Sequence, residues 1–301
     1  MTTDACKLPV LQASPSMAAP MADTIAVIFD FDDTLASDST SGFLHQLGID
    51  VKAFWGERVM PLIGSGWDPV PAYLYAMLEV SNGDPARRIT RERLIRWGRH
   101  IRLHGGATRV FERLTQHARS VSPNIEVEFY LVSSGIGETL RATRIARHFH
   151  DIWACDFAYG PEGQILFPKN IVSFTDKTRY IFHIQKGIVG PESRGRPFEV
   201  NRKVPPERLR VPLNQMIFVG DGYTDIPCFS LIRKNDGIAI GVYDAADRER
   251  WGRAWGFIED GRVSNLVPAD YRSHSALTHS LLMAVDSIAR RITLRRKTYQ
   301  G

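Results

Sequence analysis

Residues 25–35 read Ile-Ala-Val-Ile-Phe-Asp-Phe-Asp-Asp-Thr-Leu, and the parsing of that run decides the architecture. Ile25 to Phe29 are five apolar residues in a row, three of them β-branched, the pattern of a central strand buried on both faces of a parallel sheet. Asp30, Asp32 and Asp33 follow at once. Carboxylates thus gather at the carboxyl end of the strand, where open parallel sheets place their ligands.

Two further buried strands end in the same kind of punctuation. Val127 to Val132 leads into Ser133, Ser134 and Gly135, and Met216 to Val219 leads into Gly220, Asp221, Gly222, Tyr223, Thr224 and Asp225. Ile238 to Val242 reads as another strand. A helix through Val110, Phe111, Leu114 and Ala118 feeds the strand at 127, which makes an α/β unit. Residues 156–167 read as a hairpin around Gly160 to Gly163. Thr175 or Asp176 is placed to cap a helix that begins at Lys177. Leu281, Val285, Ile288 and Ile292 recur at helical spacing in a last helix.

Between residues 38 and 104 no alternating strand pattern occurs. Ser39 or Thr40 can cap a helix bearing Phe43, Leu44 and Leu47; Pro69 opens another with Tyr73, Met77 and Val80; a third carries Leu94, Trp97 and Ile101. The expected organisation is a leader over 1–22, an α/β core over 23–37 and 105–301 with an open, doubly wound parallel sheet, and an all-helical cap over 38–104 inserted after the first strand. The stretch 187–212, rich in Gly, Pro and Arg, reads as a long surface loop.

Composition excludes several classes. Over 301 residues, 44% are apolar and 24% charged, ordinary for a globular chain and too apolar for disorder. Cys6, Cys155 and Cys228 lie far apart with no Cys-x-x-Cys pair, so neither a disulfide framework nor a zinc site is expected, and a reducing cytoplasm fits. No run approaches a membrane span, and Pro9, Pro15 and Pro20 interrupt any signal-peptide core. The net charge of +5 includes arginine clusters at 87–99 and 290–297. Each reads as the solvated face of an amphipathic helix, and nucleic acid is not an expected partner.

Asp30-Phe31-Asp32-Asp33-Thr34 matches the DxDxT signature of the haloacid dehalogenase-like (HAD) superfamily, and Gly220-Asp221-Gly222 with Asp225 resembles its GDGxxD motif. With Ser133 and Lys177, the chain resembles the phosphoserine-phosphatase-like branch from about Asp23 to Asp244. The resemblance implies a hydrolase of a small phosphorylated metabolite with magnesium as cofactor. It makes Asp30 the nucleophile and Asp32 the general acid/base. Asp30, Asp221 and the carbonyl of Asp32 become the metal ligands, Ser133, Ser134 and Lys177 the phosphate binders, and Thr34, Gly222 and Asp225 the supporting residues. Carboxylates suit these tasks, since one beside a divalent cation stays ionised and a second can carry the leaving group's proton. A dehalogenase lacks the second aspartate, present here as Asp32. Asp33 and Thr224 stand where phosphoserine phosphatases show Ser and Asn. A phosphotransferase or mutase would share every motif, and a silent binding protein would have no need of all four.

Overall fold

The computed structural model describes residues 23–245 and 260–299, so the expected leader lies outside the described residues. Among these, seven strands form one sheet: β1 (Thr24–Phe29), β2 (Glu126–Ile136), β3 (Asp151–Tyr159), β4 (Ile165–Asn170), β5 (Met216–Gly220), β6 (Ile238–Tyr243) and β7 (Asn265–Pro268). Their spatial order is β4-β3-β2-β1-β5-β6-β7. Neighbours are parallel except β3 with β4, the hairpin expected around Gly160. The chain travels outward from β1 to β4 and then returns to β1's other side, which makes the ends of β1 and β5 the switch point of the sheet.

Alternation along β1 explains its continuous apolar run. Ala26 and Ile28 join the core on one face, Ile25, Val27 and Phe29 the core on the other, and all five are fully buried. Helices Val110–Val121 and Ala276–Tyr299 cover the second face, where Phe29 meets Phe111 at 6.0 Å and Tyr271 at 6.2 Å. Helices Asp176–Lys186 and Ile226–Lys234 pack on the first. No described helix is long and apolar enough to cross a membrane.

The insert leaves β1 through Asp38 and comprises helices Ser39–Gln46, Pro69–Gly83 and Arg91–His100, with a helical stretch over 51–64 that is π-type at Phe54–Val59. Its first helix is capped by Asp38, not by Ser39 or Thr40: the Asp38 carboxylate accepts from the Thr40 and Ser41 amides. Ile101 caps the third helix rather than belonging to it. The two crossings run side by side, with a bridge between Ala36 and Leu103 and the His104 amide donating to the Leu35 carbonyl at 2.9 Å.

Other expectations shift. Ser133, Ser134 and Gly135 continue β2 instead of forming a turn after it. β3 starts at Asp151, earlier than the hairpin signal, and β7 carried too short an apolar run to register. The arginine clusters are more than solvated faces. Arg91 pairs with Glu138, Arg93 donates to the Ala86 and Arg88 carbonyls, Arg291 to those of Asn214 and Asp236, and Arg296 pairs with Asp23.

The loop over 187–212 contains three 3-10 turns and is fastened to the core. Lys186 donates to the Val200 and Arg202 carbonyls, and the Gly190 amide to Asp151. Arg210 forks onto Glu128 of β2, which also accepts from the Tyr130 hydroxyl. Burial raises the Glu128 carboxyl, but the Arg210 and Tyr130 hydrogen bonds outweigh it and hold the group below the usual glutamate range. A carboxyl depressed by folding stabilises above its unfolded pKa, and that contribution is lost as pH falls through the folded value. Glu128→Gln is therefore expected to cost about 1–3 kcal/mol at neutral pH and to flatten the loss of thermal stability below pH 4.5, the ordinary value of this side chain. Thermal midpoints between pH 7 and pH 3 check this; parallel curves for the two proteins would refute it.

Candidate active site

The register of the sheet assembles the site. Phe29 pairs with Val219 on one side and Leu131 on the other, so Asp30 emerges beside Gly220 and Asp221 and one residue short of Ser133. The Asp30 amide donates to the Val219 carbonyl at 2.9 Å, extending the ladder one residue past the strand and fixing where the carboxylate starts.

Lys177 arrives from the helix above. Lys177, Tyr180, Ile181 and Ile184 share the core-facing stripe of Asp176–Lys186, and helical spacing thus carries the lysine inward with the apolar residues. It is fully buried, its Nζ 3.1 Å from Asp30 Oδ1 and 2.7 Å from Asp225 Oδ1, and it donates to the Thr224 hydroxyl at 3.0 Å. Burial works against its charge, but the carboxylates of Asp225 and Asp30 more than compensate and keep the ammonium protonated. The contact with Asp30 is ionic rather than a hydrogen bond, and Asp30 Oδ1 has no hydrogen-bond partner among the described residues.

Both Asp225 oxygens are engaged, Oδ1 by Lys177 and Oδ2 by the Gly222 amide at 3.2 Å. A Cβ on Gly220 would stand 2.3 Å from Asp225 Oδ2, so glycine is what lets the Asp225 carboxylate lie against β5. Carboxylate oxygens of Asp30, Asp221 and Asp225 lie within 4.8 Å of one another. Burial, then repulsion from Asp30 and Asp225, raises the Asp221 carboxyl well above its ordinary range. One ammonium faces three acids. A divalent cation with hard oxygen preferences would balance the remainder, and the donor set fits magnesium, with Asp30 and Asp221 having oxygens to offer.

Asp32 lies on the other side of Asp30, its Oδ1 accepting from the Ser39 amide at 2.6 Å. Burial, reinforced by Asp38, raises its carboxyl well above the usual range. Gly135 faces it: a Cβ there would reach Asp32 Oδ2 at 2.8 Å and Ser133 Oγ at 3.3 Å. Ser133 is buried, with its hydroxyl accepting from the Gly135 amide at 3.0 Å. Ser134 holds Tyr73 of the insert through its carbonyl, while its own hydroxyl is buried without a hydrogen-bond partner among the described residues. Thr34 is fully buried and its carbonyl accepts from Tyr271 at 3.0 Å.

The structure thus brings Asp30, Asp32, Asp221, Asp225, Lys177 and Ser133 to one edge of the sheet, with Gly222, Thr34 and Ser134 beside them. Sequence reasoning passed over Thr224 as a lysine partner, Gly135 as the space beside Asp32, and the Ser39 amide. Gly135 had a signal in the Ser-Ser-Gly run; the other two had none. Of the polar and aromatic residues of the insert, Tyr73 reaches Ser134. Trp55 donates to Ser41 at 2.9 Å, Arg96 pairs with Glu92, and Arg58 and Trp67 are exposed.

No family model matches the chain. It is 24% identical to an uncharacterized protein of Borreliella burgdorferi over 278 residues, covering 84% of this chain and 93% of that one. A HAD family hydrolase from Salmonella enterica serovar Typhi superposes with a TM-score of 0.56 at 10% identity, covering 87% of this chain and 72% of the hydrolase. A phosphoserine phosphatase with its substrate bound superposes with a TM-score of 0.51 at 15% identity, covering 83% of this chain and 95% of the phosphatase. The chain therefore has the fold shared by haloacid dehalogenase-like hydrolases, phosphoserine phosphatases among them.

Proposed function

We propose that the protein is a magnesium-dependent phosphatase that hydrolyses a small phosphomonoester through an aspartyl-phosphate on Asp30. The observation that carries this reading is the placement of Asp30, Asp221 and Asp225 within 4.8 Å of one another with the buried Lys177 ammonium 3.1 Å from Asp30. An acid cluster around an inward-pointing lysine has little structural use, because replacing it with packed apolar groups is often neutral or stabilising.

In this reading an Asp30 carboxylate oxygen attacks phosphorus and the P–O bond to the alcohol breaks. Asp32 is suited to protonate the leaving oxygen, because burial raises its carboxyl well above the usual range and the Ser39 amide holds Oδ1, leaving Oδ2 toward Gly135. The Asp32 carboxylate so formed takes a proton from water, which attacks phosphorus, releases inorganic phosphate and regenerates Asp30. Ser133 and Ser134 offer hydroxyls to the phosphoryl oxygens, and Lys177 neutralises charge on the nucleophile and the group in transfer. Asp225 and Thr224 position that lysine. Magnesium, held by the Asp30 and Asp221 carboxylates and the Asp32 carbonyl, would supply charge stabilisation at the phosphoryl group.

The test is phosphate release from a panel of phosphorylated metabolites with magnesium and with chelator, each reaction assayed for free phosphate and for a phosphorylated acceptor. Release is expected only with magnesium, and Asp221→Ala is expected to raise the magnesium concentration for half-maximal rate by roughly 10-fold or more. Release indifferent to chelator overturns the metal assignment. Transfer to a second alcohol without free phosphate overturns hydrolysis.

A further inference from the structure

A second cleft, of about 810 Å³, opens beside helix Asp176–Lys186, between β3, the end of β4 and the loop over 187–212. None of Asp30, Asp32, Lys177, Asp221 or Asp225 lines it. Its size falls within the range of small-molecule sites, roughly 300–1,000 Å³. Five cationic side chains reach it, Arg91, Arg141, Lys169, Arg179 and Arg194, against two carboxylates, Glu138 and Asp156. Those two acids are already taken, Glu138 by Arg91 and Asp156 by Arg141.

The remaining three cations are only weakly matched. Lys169 has no ion pair or side-chain hydrogen bond among the described residues and is exposed. Arg194 stands 3.5 Å from Asp151, whose other oxygen already accepts from Gly190. Arg179 lies over the Tyr180 ring at 4.7 Å and donates to the Tyr180 hydroxyl, yet among the described residues its buried Nε has no acceptor and its nearest carboxylate, Asp176, is 3.9 Å away. A buried donor without an acceptor is costly, and a guanidinium is built for oxyanions. The floor is rigid: Tyr130, Trp153 and Tyr180 stack in a column, at 5.9 and 5.1 Å between ring centres. The wall that carries Arg194 is the loop fastened by Arg210 to Glu128, by Gly190 to Asp151 and by Lys186 to the Val200 and Arg202 carbonyls.

We infer that this cleft is a second anion-binding site, which takes a small phosphate-bearing molecule on Arg179, Arg194 and Lys169. The fastened loop then has a purpose, since it holds Arg194 in place before the ligand arrives. The inference is independent of the phosphatase reading, because no residue of the carboxylate cluster takes part.

Inorganic pyrophosphate titrated into the full chain, followed by calorimetry and by tryptophan fluorescence, tests this, because Trp153 lines the cleft. Binding in the millimolar range or tighter is expected. Arg194→Gln with Lys169→Gln, both at exposed positions, is expected to weaken it by about 10-fold or more. The double variant should keep the wild-type thermal midpoint and whatever turnover the wild type shows. Arg194→Lys on its own should lose less affinity than Arg194→Gln. Failure of the wild type to bind pyrophosphate overturns the site. So does an affinity unchanged in the double variant, which would move the anion to the carboxylate cluster.

Discussion

Asn in place of Asp30 is expected to lower kcat by about 10⁴-fold or more while the chain stays folded. The amide keeps the shape of the carboxylate, so the backbone bond from the residue 30 amide to Val219 and the packing of β1 are untouched. Turnover is lost because a neutral amide is a poor nucleophile toward phosphorus. Stability is expected to change little: Lys177 retains Asp225 at 2.7 Å, and removing one of three crowded acids relieves repulsion on Asp221. The experiment pairs steady-state rates with a rapid acid quench and mass spectrometry of the protein. Wild type should carry one added phosphoryl group during turnover, and Asp30→Asn none. A variant rate within about tenfold of wild type would place the nucleophile elsewhere.

Lys177→Ala is expected to produce the largest loss of stability, about 3–5 kcal/mol, because it leaves buried carboxylates without their cation. Lys177 and Asp225 are both fully buried, so water cannot take over the lost contact without opening the helix from the sheet. The pair also predicts its own partial cure. Lys177→Met with Asp225→Asn removes both charges and keeps the volume, and should recover a large part of the lost stability with no recovery of activity. Denaturant unfolding of wild type, Lys177→Met, Asp225→Asn and the double variant measures the coupling. Additive effects would mean that Lys177 is held by packing alone and that the ion pair contributes nothing.

These two predictions rest on residues whose placement was legible in the sequence for different reasons. Asp30 follows an unbroken apolar run of strand length, rich in β-branched residues, which marks a strand buried on both faces, so its position at the sheet's edge was readable from five side chains. Lys177 was readable from its helix start, but its burial was not: lysine near a helix start is ordinarily solvated, and the neighbours Lys169 and Lys186 could not be separated from it by spacing. Its tertiary setting decides, because Tyr180, Ile181 and Ile184 turn the same stripe inward. β7 and the first residues of β3 escaped because short strands at the margin of a sheet draw their pairing from neighbours rather than from their own pattern. The capping of the insert's first helix by Asp38 escaped because Ser, Thr and Asp in succession all suit that place, and only the hydrogen bonds choose among them. Thr224 and the Ser39 amide act through contacts 47 and 7 residues distant in sequence, which no local pattern encodes.

The paired crossings of the insert have a consequence for how this architecture can change. With the Leu35 carbonyl and the His104 amide 2.9 Å apart, everything between them departs from and returns to nearly one point of the core. Geometrically the intervening helices form a cassette. A shorter or longer module could be spliced at this neck without stretching β1 or shifting the helix that precedes β2. The carboxylates at the sheet's edge and the helices inserted between β1 and β2 are therefore separable in inheritance, and one can be rebuilt while the other is kept.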